Sequence, residues 1–187
     1  RAMSEEKDSH SAVEHHIAVT KTARYWTLGG TTSPVGDAWF VLHGYKQLAR
    51  RFLKRFNSIA NDSRIIVAPE ALSRFYVNPE PGRHGPESAV GATWMTREDR
   101  QSEIHDYVAY LDRLAESLGS AGRRVTVLGF SQGVATATRW VVQGGVRPER
   151  LILWGESMPP DLDMERAMTE IADLGLRPES QRMFLRE

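Results

Sequence analysis

Ser131 stands between Gly129 and Gly133 in the run VTVLGFSQG, residues 125–133. A serine hydroxyl at that spacing, directly after apolar residues and directly before a helix-like segment, suits nucleophilic attack on a carbonyl. Val125, Val127 and Leu128 read as a buried strand, and Val134, Ala135, Thr138, Val141 and Val142 as the core-facing stripe of a helix that Gly144 and Gly145 end. The turn between them would hold the serine oxygen out over the carboxyl edge of a sheet. A Cβ at position 129 or 133 would there collide with the neighbouring strand or helix. The first backbone N–H groups of the helix face the same point, where they would stabilise an oxyanion. A plainer reading makes this a glycine-rich turn in some other α/β protein, with Ser131 only a helix cap.

Other chemistry is sparse. Cysteine is absent, which excludes disulfides, thiolate metal sites and a cysteine nucleophile. His15 and His16 are adjacent, so on a strand they point to opposite faces and chelate poorly; no metal is expected. No GxGxxG or Walker loop occurs, so no nucleotide cofactor is indicated. Lysine plus arginine number 24, as do the acidic residues, which gives no electrostatic case for nucleic acid or an anionic membrane. No apolar run approaches a membrane span and the N-terminus lacks a signal-peptide layout, so a reducing cytoplasm fits. Arg50, Arg51, Lys54 and Arg55 could form a phosphate patch, but they read better as the solvated side of an amphipathic helix.

The elements that must position Ser131 alternate along the chain. Residues 1–12 are polar, with Arg1 and Ala2 preceding Met3 as if added in cloning, and are expected to be loosely held. One domain is expected from residue 13 to residue 187, since 187 residues with 41% hydrophobic suit a single core. Ile17 with Val19, and then residues 25–28, suggest an early pair of strands. Further buried strands are expected at 38–42, 64–68 and 151–154. Helices are expected at 48–59, after the capping-box-like pair Thr96 and Asp99, and around Met164, Ala167, Met168, Ile171 and Leu174. His105 falls off the apolar stripe of the second of these. Residues 71–95, rich in proline and glycine with Phe75, Tyr76 and Trp94 between, read as a pocket wall or lid, or else as an irregular surface excursion. The pattern implies an α/β fold: a mostly parallel sheet with helices on both faces and reactive groups at the carboxyl ends of the strands.

Together VLHGY at 41–45, APE at 68–70, GATWMTREDR at 91–100 and LGFSQG at 128–133 resemble the carboxylesterase and phospholipase branch of the α/β-hydrolase superfamily, which includes acyl-protein thioesterases and small bacterial esterases. The resemblance runs over about residues 16–174. It implies an α/β-hydrolase fold and a cofactor-free serine ester hydrolase for small to medium acyl esters, with Ser131 as nucleophile. It implies an oxyanion hole from the backbone N–H of Gln132 and of Tyr45, a bracing role for His43, and Trp94 and Met95 near the acyl pocket. Where the family has a glycine after the position of Tyr45, this chain has Lys46, which a left-handed backbone would strain. The fold's triad runs serine, acid, histidine, yet all six histidines precede Ser131. Glu156, Asp161 and Asp163 follow one strand too early for the acid. The C-terminal strands, catalytic acid and histidine are therefore expected outside the sequence given, with a join near 177–180 conceivable. The alternative is a catalytically incomplete protein, truncated or a binding module. An open sheet edge would favour association, so a homodimer is conceivable.

Overall fold

The computed structural model describes residues 11–30, 36–77, 85–157, 159, 160 and 162. Its main sheet has five strands: β1 (Tyr25–Gly29), β2 (Asp37–Leu42), β3 (Arg64–Pro69), β6 (Arg124–Phe130) and β7 (Arg150–Trp154). They lie in the order β1-β3-β2-β6-β7, all parallel except β1, which runs antiparallel to β3. Between β3 and β6 a two-stranded antiparallel hairpin, β4 (Ser73–Tyr76) with β5 (Val90–Thr93), stands beside it. The segment expected as pocket wall or excursion is thus partly regular, because four residues on each side pair in register from Ser73↔Thr93 to Tyr76↔Val90.

The central strands are apolar on both faces, as strands covered on both sides must be. Successive side chains point to opposite faces, which separates the core into two layers. Phe40, Leu42, Val67 and Val127 pack against Tyr107 and Leu111 of α2 (Arg100–Ser117) and Trp140 and Val141 of α3 (Gln132–Gln143). Val41, Ile66 and Leu128, on the other face, pack against Phe52, Leu53 and Phe56. Phe52 and Leu53 belong to α1 (Ala49–Leu53), which tightens into a 3₁₀ stretch over Lys54–Ile59 and keeps the same residues inward. Arg50, Arg51, Lys54 and Arg55 face solvent.

Two expectations differ from the structure. The first of the early strands does not form: residues 11–24 carry no strand, and Val13, Ile17 and Val19 are 71%, 87% and 80% exposed. Short β-branched alternation makes a strand only against a partner, and β1 takes its ladder from β3. Helix α2 also starts later than the Thr96 signal suggests. Asp99 precedes it with a left-handed φ of 43°, and Glu103, inside the first turn, accepts the backbone N–H of Thr96. His105 is exposed, as are His15 and His16, and His16 Nε2 reaches Asp99 Oδ2 at 3.1 Å. The expected helix over 164–174, the C-terminal strands and residues 1–10 lie outside the described residues, as does the conceivable join near 177–180. Among the described residues no helix is long and apolar enough to cross a membrane.

The two-layer core and the loose early segment make opposite predictions. Phe40→Ala, at a position with 0% exposure, should cost about 3–5 kcal/mol in urea unfolding. Ile17→Ala should stay within about 0.5 kcal/mol, and a core-sized loss there would show that the segment pairs after all.

Candidate active site

Ser131 sits where β6 ends and α3 begins, with φ 51° and ψ −121°. Backbone contacts allow that turn only with glycine on either side. A Cβ on Gly129 would come 2.2 Å from Gly133 O and 2.8 Å from Val134 Cα; one on Gly133 would come 2.2 Å from Leu42 O. The collisions expected from the sequence are therefore those the fold contains. The Ser131 N–H donates to Trp154 O (2.9 Å), carrying the β6–β7 ladder into the turn, and Ser131 O accepts from Val134 N (2.8 Å).

Facing Ser131 is the loop after β2. Gly44 is buried, and a Cβ there would lie 3.1 Å from Ser131 Cβ. A hydrogen bond from Gln47 N to Gly44 O (3.2 Å) closes a four-residue turn, and Gln47 Oε1 accepts from Gly44 N (2.8 Å). Lys46 has φ 66° at the third position, the place where such a turn favours glycine. The strain expected of Lys46 is real and costs on the order of 1 kcal/mol. It is held by Lys46 N donating to Ala92 O (3.1 Å) and Ala92 N to Gln47 O (3.2 Å), with Gly91 against the Lys46 backbone. Tyr45 is half exposed and its ring stacks on Phe75, centroids 5.3 Å apart.

His43 braces this loop from beneath. It is fully buried, and Nε2 accepts from Ala71 N at 3.1 Å, which puts the proton on Nδ1, 2.8 Å from Gly44 O. Burial lowers its pKa, outweighing the Gly44 hydrogen bond and the Glu70 charge, so the ring is neutral near pH 7. With both nitrogens engaged it has none left for Ser131. Trp94 donates its indole N–H to His43 O (2.8 Å) and stands edge-on to Tyr107. At 2% exposure it supports the site from the core. Met95 is half-buried and its sulfur accepts from Arg139 (3.4 Å).

Two parts of the site were not foreseen. The Gln132 side chain clamps the end of β5: Nε2 donates to Thr93 Oγ1 and Met95 O (2.9 Å each) and Oε1 accepts from Trp94 N (3.1 Å). Glu70, with a side chain 0% exposed at the end of β3, accepts from Arg24 Nε (2.7 Å), Arg74 Nε (2.8 Å) and Ala49 N (3.3 Å). A charged residue directly after an apolar strand was the available signal. Burial alone would raise the Glu70 pKa, but hydrogen bonds from the two guanidiniums outweigh it and hold the carboxyl low. Glu156, by contrast, is exposed and accepts from Ser157 N, while Asp161 and Asp163 lie outside the described residues. Among the described residues no histidine hydrogen-bonds Ser131.

No protein-family model and no curated protein matches the sequence. Solved structures do. A phospholipase/carboxylesterase from Dyadobacter fermentans is similar with a TM-score of 0.54 and 14% identity, over 84% of this chain and 85% of that one. Acyl-protein thioesterase 2 of Zea mays is similar with a TM-score of 0.53 and 16% identity, over 85% and 70%. The chain has an α/β-hydrolase fold. In this hydrolase fold Ser131, the His43–Gln47 loop and the end of β5 meet at the carboxyl edge of the sheet.

Two substitutions probe the framework. Gly133→Ala should lower stability by about 3 kcal/mol in denaturant, because the contact it violates is backbone. The Glu70 pKa is depressed, so its contribution is full above the unfolded value near 4.5 and is lost as pH falls through the folded value. Glu70→Gln should cost about 1–2 kcal/mol at pH 7 and flatten the acid limb of the stability profile below pH 4.5.

Proposed function

We propose that this chain is a serine carboxylic ester hydrolase acting on small to medium acyl esters. The observation that carries the reading is the forced turn at Ser131, with Gly129 and Gly133 in backbone contact and Gly44 facing the serine. Such a turn exposes a serine oxygen at the mouth of a hydrolase sheet. Ser131 Oγ would attack the ester carbonyl carbon, the bond to the alcohol oxygen would break, and the serine proton would leave with the alcohol by way of a base. Water would then cleave the acyl-serine, releasing a carboxylic acid and restoring the hydroxyl. The backbone N–H groups of Gln132 and Tyr45 would bind the oxyanion, an interaction worth about 2.7–4 kcal/mol per donor. The Gln132 amide clamp and the neutral, doubly bonded His43 support this by fixing both sides of the hole. The chemistry itself needs no cofactor. Thioesters and phospholipid esters present the same carbonyl and differ in the leaving group.

One observation favours a second reading, a hydrolase-fold protein without catalysis: no described histidine hydrogen-bonds Ser131, and an unassisted hydroxyl is a weak nucleophile. A fluorophosphonate probe with intact-mass readout separates the two. Stoichiometric labelling that Ser131→Ala abolishes is the expected result, and an unlabelled protein would support the non-catalytic reading.

A further inference from the structure

We propose that Lys46 makes the Ser131 site selective for esters carrying an anionic group, a carboxylate or a phosphate; this rests on the reading of Ser131 as an acyl-transfer nucleophile. Lys46 occupies a left-handed position, φ 66°, where glycine would be unstrained. The neighbouring strand accommodates its backbone closely, since a Cβ on Gly91 would fall 2.6–2.8 Å from Lys46 O, C and Cα. A strained lysine is thus held where the backbone alone would be better served without a side chain, and strain of this kind collects at functional sites.

Lys46 is exposed, and among the described residues it makes no ion pair; its ammonium lies 5.5 Å from the centre of the Tyr45 ring. Tyr45 rests in turn on Phe75, 23° from coplanar. The nearby cation of the hairpin, Arg74, is committed to Glu70 at 2.8 Å. Lys46 is two residues from Gly44, which abuts Ser131, so the chain alone keeps its Cα within ~7 Å of Gly44. An ammonium that no carboxylate among the described residues pairs with, beside the Tyr45 ring on the loop that faces Ser131, suits an anion whose apolar body lies along that ring.

The test compares phosphonylation of Ser131 by three fluorophosphonates of equal length, one neutral, one ending in a carboxylate and one in a phosphate. The serine oxygen bonds phosphorus, fluoride leaves, and the hydroxyl proton passes to solvent. In dilute buffer the unaltered protein should react about three- to fivefold faster with the anionic probes, an advantage that concentrated salt shrinks. Lys46→Met should bring the ratio of anionic to neutral rates to about one, and Lys46→Glu should invert it. Lys46→Gly, which relieves the backbone strain and so preserves the turn, should match Lys46→Met. Acceleration with one anion alone supports the proposal and names the group. A ratio unchanged across all four proteins would overturn the proposal while leaving Ser131 a nucleophile. Failure of every probe to label Ser131 would overturn both.

Discussion

The first turn of α3 lies so close to the ends of β2 and β6 that backbone is the contact surface. Gly133 touches Leu42 O and Gly129 touches Gly133 O, each at a separation that leaves no room for a methyl group, while Gly44 faces the Ser131 side chain. A close-packed interior cannot absorb an added atom there by turning a flexible side chain, because the colliding atoms are carbonyls and Cα carbons. Everything chemical about the molecule follows from that approach. It forces Ser131 into its unusual φ and ψ, aims the start of α3 at the serine, and brings the His43–Gln47 loop alongside.

Buried and half-buried polar side chains then hold the parts in place. His43 ties the loop after β2 to Ala71 beyond β3; Gln132 ties the start of α3 to the end of β5; Glu70 ties β3 to Arg24, Arg74 and the first turn of α1. Each finds several hydrogen-bond partners within the protein, as groups drawn out of water must. The cost of leaving any of them unpaired is what makes the arrangement specific, since a slip of one strand end would orphan several donors at once. The open end of the β4–β5 hairpin is consequently pinned twice, by Gln132 at residues 93–95 and by the Lys46–Gln47 backbone at Ala92.

Against that rigidity the surface around Tyr45 is open. Tyr45 and Lys46 form an exposed rim, with the Tyr45 ring resting on half-buried Phe75 of β4, so the same short loop supplies a fixed backbone inward and variable side chains outward. Such a division lets substrate preference change without disturbing the turn at Ser131.

The sequence by itself determined the alternation of strands and helices, the two glycines about Ser131 and the inward residues of β2, β3 and β6, because period and backbone sterics act locally. It misled where a partner decides: Ile17 and Val19 have strand-like character, but among the described residues no strand lies beside them. Only tertiary structure could show that the Gln132 amide reaches residues 93–95, 37 to 39 positions away, or that Glu70 gathers two arginines. Those bonds join groups far apart in the chain, and their partners are chosen by how the elements pack, which residue spacing does not encode.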